Sequence, residues 1–195
     1  MTSSLVGSEM CIRDRHTSDL LYWEALDAFV GEKPSTLRMI LPEVYMETEK
    51  DYSARIGAAK TAMQTYLDEG VFRRLPRGFI LVERSTPYVK MRRGIVLSVD
   101  LEAYSYRHED AAPIRASEAT IVERIPPRLK IREGAPLELP HIMLLYDDPG
   151  NTVWAAAERQ AAEIVYDFDL NMGGGHLRGR LVTEAQPVLD AFYAL

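Results

Sequence analysis

Apolar residues recur every three or four positions in four stretches of the chain, a spacing that places them on one face of a helix. Capping and stop residues bound most of these stretches. The predicted helices are Ser18 (cap) to Val30 before Gly31, Asp51 (cap) to Leu67 before Gly70, Val153 to Val165, and Thr183 (cap, with Gln186 at the capping-box position) to Leu195.

Shorter runs rich in apolar, β-branched and aromatic residues predict strands between these helices. The predicted strands are Phe79 to Arg84 and Met91 to Leu101 joined around Thr86-Pro87, Ile142 to Tyr146 as a buried strand, Tyr166 to Leu170, Leu177 to Val182, and a short β-rich segment from Ser35 to Leu41 that Pro42 ends. Strands and helices in this order predict an α+β fold, with a mixed, mainly antiparallel sheet and flanking helices.

The segment from Arg128 to Glu133 has two interpretations. Pro126-Pro127 before it and Gly134 after it are typical of a short helix. The alternation of charged and apolar residues within it favours a strand instead. Arg128 and Arg132 share one side in both cases, because positions four apart lie on one face of a helix and on one face of a strand.

Composition bounds the class of protein. The chain has 195 residues, of which 47% are hydrophobic and 27% charged, as in ordinary globular proteins. Its net charge of −6 argues against a nucleic-acid partner. No apolar run approaches the ~20 residues that span a bilayer. We therefore expect a cytoplasmic protein that binds neither nucleic acid nor a membrane.

The first residues of the chain differ from the rest. Residues 4–15, SLVGSEMCIRDR, resemble the translated adapter read-through that recurs in assembled metagenomic sequences. We expect residues 1–15 to lie outside the fold, and residues 16–195 to form a single α+β domain truncated at both ends. Without Cys11 the remaining chain has no thiol for a disulfide, a zinc site or a nucleophile.

The segment from Ile114 to His141 is dense in arginine, glutamate and proline. Guanidinium groups bind carboxylates or phosphates in fixed geometry, and prolines hold the backbone that carries them. The segment therefore predicts either an anion site or a structural network of ion pairs. The candidate ligand-binding residues are Arg115, Glu118, Arg128, Arg132 and His141.

Other chemical patterns are weaker. His108, His141 and His176 lack the spacing of metal ligands, so we expect no metal site, and no residue is assigned a catalytic role. Asp147-Asp148 could hold Mg²⁺, and the triple glycine before His176 could hold a phosphate. We favour a turn in both places, since Asp-Pro-Gly sequences and glycine runs are typical of turns.

Four passages of the chain together resemble one prokaryotic family, the domain of unknown function 1015. These passages are YWEALDAFVGEKPSTLRMILPEVYME, GFILVERSTP, IRASEATIVERIPPRLKIREGAPLELPHIMLLYDDPGNTV and YDFDLNMGGGHLRGRLV. The resemblance runs from about Thr17 to Leu195, and its most specific part is Ile114 to Pro149.

The resemblance implies a function for the whole protein. Full-length members look about twice as long, and their second half carries a D-G-[HN]-H signature similar to that of the ParB/sulfiredoxin-like free-serine kinases, where it lies beside nucleotide phosphates. This chain has no Asp-Gly dipeptide, and Gly175-His176 is not the motif. The implied role is the N-terminal half of an ATP-dependent small-molecule (serine-like) kinase, inactive alone.

On this reading the C-terminal half is the missing partner, ATP and Mg belong to the full-length protein, and the substrate is a small molecule. The alternative is a non-catalytic scaffold or protein-interaction domain, in which the arginines of the Ile114 to His141 segment only pair with the chain's own glutamates.

Overall fold

The computed structural model describes residues 19–105, 107, 112–115, 122, 125–139, 141–170 and 174–195. Its α-helices are α1 (Leu20–Val30), α2 (Glu43–Thr48), α3 (Ser53–Asp68), α4 (Ile125–Arg132), α5 (Thr152–Gln160) and α6 (Gln186–Tyr193). Its strands are β1 (Phe79–Ser85), β2 (Arg92–Val96), β3 (Tyr104–Ser105), β4 (Ile114–Arg115), β5 (Ala161–Leu170) and β6 (Gly175–Val182). Short 3₁₀ turns span Thr36–Met39 and Leu101–Ala103.

The main sheet has four strands in the order β2-β1-β6-β5, and each neighbouring pair is antiparallel. Two hairpins, β1–β2 and β5–β6, therefore meet along β1 and β6. The small β3–β4 pair is parallel. The predicted α+β fold with a mainly antiparallel sheet and flanking helices is confirmed.

One face of the main sheet is covered by α5 and α6. The buried residues of this sheet core are Leu81, Val153, Trp154, Ala157, Val182 and Val188. Leu81 on β1 is paired with Arg180 on β6, and residues paired across antiparallel strands lie on the same face of the sheet. Arg180 therefore lies on the face that α5 and α6 cover. The sheet core therefore occupies one end of this face, and polar side chains occupy the other.

The N-terminal part of the chain forms a second, helical core. Trp23 on α1, Leu37 in the first 3₁₀ turn and Val44 on α2 are buried together. Helix α3 packs against the same 3₁₀ turn, where the Tyr66 hydroxyl accepts a hydrogen bond from the Ser35 backbone N–H at 3.2 Å. Three short elements and one long helix thus surround a common interior.

The helix boundaries partly follow the predicted caps. Ser18 lies outside the described residues, and Asp19 caps α1 by accepting a hydrogen bond from the Tyr22 N–H at 3.1 Å. Gly31 ends α1 as predicted, with a φ of +56° that favours glycine. Asp51 accepts from the Ser53 N–H at 2.9 Å, which supports the first turn of α3 from just outside the helix.

Two predicted strands are wrong. Ser35 to Leu41 forms the 3₁₀ turn Thr36–Met39, because the Ser35 hydroxyl accepts from the Leu37 N–H at 3.2 Å and so turns the chain. Ile142 to Tyr146 is neither a strand nor buried: Leu145 is 87% exposed. Its apolar run finds no strand partner among the described residues, and an apolar run without a partner does not make a strand.

Three further boundaries differ from the sequence pattern. Helix α5 ends at Gln160 rather than Val165, because residues from Ala161 onward pair with β6, and tertiary pairing overrides the helical preference of alanine. The strand predicted over Met91 to Leu101 is shortened to β2. Thr183 does not cap the last helix, which begins at Gln186 without a side-chain cap.

Helix α4 decides between the two interpretations of the Arg128 to Glu133 segment. It is a helix from Ile125 to Arg132, with Pro126-Pro127 in its first turn and Gly134 after it at a φ of +68°. The prolines at the start and the glycine at the end therefore predicted the structure of this segment better than the alternation of charged and apolar residues did.

Two glycines of the main sheet, Gly94 and Gly179, differ in how much space surrounds them. One row across the sheet is Gly94–Val82–Gly179–Tyr166. A Cβ at Gly179 would lie 2.2 Å from the buried Tyr166 ring, whereas one at Gly94 would meet nothing within 4 Å. We expect Gly179→Ala to lower the free energy of unfolding by about 1–3 kcal/mol through overpacking.

Urea unfolding checks this expectation, with Gly94→Ala as the control that stays within about 0.5 kcal/mol of the wild type. Equal losses in the two variants would show that the Tyr166 ring does not occupy the space above Gly179.

Candidate functional site

The predicted anion-binding residues that the structure describes lie on α4, on β4 and in the segment that follows α4. Arg128 and Arg132 lie four apart on α4, so they share a face as expected, and both are exposed. Arg132 pairs through its Nε with the Glu138 carboxylate at 3.1 Å. Arg132 therefore has a structural partner, whereas Arg128 makes no ion pair with a described residue.

Two of the other predicted residues, Arg115 and His141, are exposed. Arg115 is exposed on β4, and its Nε donates to the Ala112 carbonyl at 3.2 Å. His141 is exposed after α4. Glu118 lies outside the described residues. Neither Arg115 nor His141 makes a hydrogen bond or an ion pair with Arg128 in the described part of the chain, so the anion site stays a prediction.

A row of alternating charges crosses the main sheet beyond the sheet core. Its members, in register from β2 to β5, are Arg93, Glu83, Arg178 and Asp167. The Arg178 Nε lies 3.4 Å from Asp167 Oδ2. Opposite charges on directly paired residues stabilise an antiparallel sheet. Strand pairing thus explains the alternation of charge along this row.

Arg180 connects this row to α5. Its Nη2 lies 3.4 Å from Glu83 Oε2 and 3.2 Å from Glu158 Oε1. The side chains of Arg180 and Glu83 are only 16% and 14% exposed. Burial strengthens such a contact but makes its separation costly, because a lone buried charge is left behind. Arg180 therefore fastens α5 to the sheet.

His176 lies at the start of β6 between two carboxylates. Its Nε2 is 2.8 Å from Asp167 and its Nδ1 is 2.8 Å from Asp169. The hydrogen bond to Asp169, helped by the charge of Asp167, raises the pKa of His176 above its ordinary value of 6.5. Both ring nitrogens contact a carboxylate, so His176 is held between Asp167 and Asp169, an arrangement that we call the His176 clamp.

The two sequence features with chemical alternatives form turns. Asp148 accepts hydrogen bonds from the Thr152 and Val153 backbone N–H groups, both at 2.9 Å, and so caps α5. Burial raises its pKa, but these hydrogen bonds together bring it below the ordinary value. The glycine run connects β5 to β6 as a hairpin, in which Gly175 has a φ of +84°; residues 171–173 lie outside the described part.

A cavity of about 220 Å³ lies in the helical part of the molecule. Its lining comes from α1, the first 3₁₀ turn, the start of α2 and the first half of α3. The apolar lining residues are Trp23, Leu37, Ile40, Leu41, Pro42, Ala58 and Ala59. The polar lining residues are Asp27, Arg38, Tyr45 and Arg55. Apolar walls with a few converging polar groups are the usual make-up of a small-molecule site.

Arg55 is held rigidly at this cavity. Its Nε and Nη2 donate to the Glu49 carboxylate at 2.6–3.0 Å, and its guanidinium carbon lies 3.6 Å from the centroid of the Tyr45 ring. The hydrogen bond from Arg55 lowers the pKa of Glu49, and the same bond raises that of Arg55. Fork-shaped pairing and stacking together fix the planar group.

Arg38 is the second guanidinium at the cavity. Its Nη1 donates to Asp27 Oδ1, and its Nη2 donates to the Gly31 carbonyl at 2.6 Å. Asp27 and Gly31 lie at the C-terminal end of α1, where a cation is favoured by the helix dipole. The cavity, which we call the Arg38–Arg55 pocket, therefore has one fixed cation and one held by an exposed carboxylate.

Sequence reasoning missed the Arg38–Arg55 pocket. Tyr45, Glu49 and Arg55 are scattered over eleven residues that no motif connects, and the 3₁₀ turn carrying Arg38 was expected to be β-rich. The usable signal was Arg38 within the short apolar run from Leu37 to Leu41, which by itself indicates neither a cavity nor its shape.

Two classes of site are absent from the described residues. No three His, Cys, Asp or Glu side chains there are arranged to hold a metal ion. No described helix combines the length and apolar character needed to cross a bilayer.

Comparison with known proteins identifies the family. Residues 14–191 match the family described as Protein of unknown function (DUF1015). The chain belongs to the DUF1015 family. This confirms the resemblance seen in the sequence, and the match includes both the sheet and the Arg38–Arg55 pocket. No curated protein and no solved structure matches the chain significantly.

The His176 clamp of this DUF1015 chain predicts a pH dependence. Because the folded-state pKa is raised, protonated His176 contributes stability that is fully present below pH 6.5 and is lost as the pH rises through the raised value. An NMR titration of the His176 ring should give a pKa above 6.5. Asp169→Asn should lower that pKa, since the largest contribution is removed.

Asp68→Asn, a change of an exposed carboxylate on α3, is the control and should leave the His176 titration unchanged. A His176 pKa at or below 6.5 in the wild type would contradict the clamp.

Proposed function

We propose that this DUF1015 chain binds a small metabolite in the Arg38–Arg55 pocket, as the substrate-binding N-terminal half of an ATP-dependent small-molecule kinase. The observation that carries the proposal is the pocket itself: a cavity whose lining combines apolar side chains with two guanidinium groups. Its volume of about 220 Å³ lies below the roughly 300–1,000 Å³ of drug-sized sites. A small metabolite is therefore a better match than a nucleotide.

The kinase part of the proposal rests on the family resemblance and on the arginines of α4. Phosphoryl transfer depends mainly on positioning and on cations that stabilise spreading negative charge. On this proposal Arg115, Arg128 and Arg132 bind phosphate or a substrate carboxylate, with a weaker contribution from His141, and Glu118 belongs to the same segment. ATP and Mg²⁺ would then be held together with the C-terminal half.

The position of α4 supports this assignment. Lys60 on α3 donates to the Glu133 carbonyl, just after α4, at 2.5 Å. Lys130 on α4 also contributes to lowering the pKa of Asp51 at the start of α3, behind the larger effect of its hydrogen bonds from Ser53. Helix α3 thus carries one wall of the pocket and contacts the helix that bears the arginine pair.

A scaffold or protein-interaction domain is the second candidate function. The Arg132–Glu138 pair and the Arg180 contacts with Glu83 and Glu158 favour it, because these arginines are occupied by the chain's own carboxylates. On this alternative the pocket would have no ligand of its own.

Filling the pocket tests the first candidate. Ala58 lines the pocket from an exposed position on α3, so Ala58→Leu should occupy the cavity without disturbing the helix. We expect ligand-observed NMR with a library of small organic acids, amino acids and sugars to detect binding to the wild type and at least a tenfold weaker signal for the variant.

Ala54→Leu is the matched control, because Ala54 is exposed on the same helix and does not line the pocket. Binding should survive in it. If no library member binds the wild type, or if Ala58→Leu binds as the wild type does, the metabolite proposal is wrong.

The kinase role requires the full-length protein. There, Arg128→Ala should lower ATP-dependent phosphorylation of serine at least tenfold, since an arginine that stabilises the transferring phosphoryl group contributes roughly 10³–10⁵ in rate. Lys130→Ala changes the same charge on another face of α4 and should keep most of the activity. Equal activity of the Arg128→Ala variant and the wild type would reject the assignment and favour the scaffold.

A further inference from the structure

We infer that the ligand of the Arg38–Arg55 pocket is a small organic anion with an apolar body, and that Asp27 sets its affinity as an internal anion that competes for Arg38. This inference rests on the proposed binding function of the pocket and adds the chemical class of the ligand. It follows from how the two guanidinium groups are held.

Arg55 is the permanent part of the site. Glu49 engages its Nε and Nη2, and Tyr45 stacks on its plane, so the group keeps one position. Its Nη1 makes no hydrogen bond with a described residue and remains a donor for a ligand oxygen. Because Glu49 is not in the pocket lining, it fixes Arg55 without occupying the cavity.

Arg38 is the exchangeable part. Its carboxylate partner, Asp27, is 53% exposed, and Arg38 itself is 35% exposed. An ion pair this open is weak, because water competes with both partners, and the Arg55–Glu49 pair is similarly open at 44% and 34%. The two arginines differ in how they are held: Arg55 has a two-nitrogen fork and a stacked ring, whereas Arg38 has one carboxylate oxygen and one backbone carbonyl. The Gly31 carbonyl would keep Arg38 in place through Nη2 while Asp27 turns into solvent and a ligand carboxylate takes its position on Nη1.

The remaining lining selects the ligand's charge and body. Each guanidinium has one carboxylate partner, but Glu49 lies outside the lining, so a ligand in the cavity meets two guanidinium groups and only one carboxylate, Asp27. Trp23 and Leu41, which are 2% and 7% exposed, offer an apolar surface. A small carboxylate with an aromatic or aliphatic body satisfies both features, whereas a cation would have to approach two arginines.

Removing the competing charge tests the inference. Asp27→Asn keeps an oxygen that can accept from Arg38 but removes the negative charge, so benzoate should bind this variant about fivefold more tightly than the wild type, as expected for loss of one like charge about 4 Å away at the dielectric constant of water. Benzamide, which has the same body without the charge, should bind both proteins alike.

Glu24→Gln is the matched control, because Glu24 is exposed on α1 and does not line the pocket. It changes the net charge by the same amount and should leave benzoate affinity within about twofold. Isothermal titration at pH 7 measures all three proteins, and circular dichroism melting confirms that each variant is folded.

The outcomes separate this inference from the proposed function. If benzoate binds the wild type but Asp27→Asn leaves its affinity unchanged or weakens it, Asp27 is not a competitor and the inference falls, while the pocket remains. If benzylammonium binds and benzoate does not, the ligand class is wrong. If benzoate, benzamide and benzylammonium all fail to bind, the inference is overturned; the metabolite proposal falls as well only if the library screen also finds no ligand.

Discussion

The antiparallel pairing of β6 with β1 is the contact on which the rest of the sheet depends. The two strands lie about 90 residues apart in the chain, yet they form the centre of the sheet, with one hairpin partner outside each of them. Closing so long a loop costs entropy, and the apolar surface buried beneath α5 and α6 must offset it. Without this pairing the two hairpins would be separate, and isolated hairpins are marginal in water.

Local patterns predicted most elements correctly because their causes are local. Helix α3 follows from the spacing of Ile56, Ala59 and Met63, all buried on one face, and the β1–β2 hairpin follows from its turn at Thr86-Pro87. The errors share another cause. Residues 161–165 form a strand because they pair with β6, which is itself held in place by β1. A local sequence pattern does not encode where such a partner strand lies.

The candidate site was less predictable than the fold. The Ile114 to His141 segment identified the family correctly, but composition alone could not say which arginines meet a carboxylate, and only the Arg132 pair with Glu138 is described. The Arg38–Arg55 pocket was missed for a physical reason. Its walls come from four elements, and a cavity is a property of how they pack rather than of any residue among them.

Arginine–carboxylate pairs occur in both parts of the molecule, and they differ in burial and in the number of groups that hold each guanidinium. The Arg180–Glu83 pair, only 16% and 14% exposed, cannot exchange its partner without leaving a buried charge, so it acts as a structural fastening. The Arg38–Asp27 pair, 35% and 53% exposed, can exchange its carboxylate for another with little loss of solvation. A structural network in the sheet and a binding function in the pocket are therefore compatible, because the role of such a pair depends on its burial and on how many other groups hold the arginine.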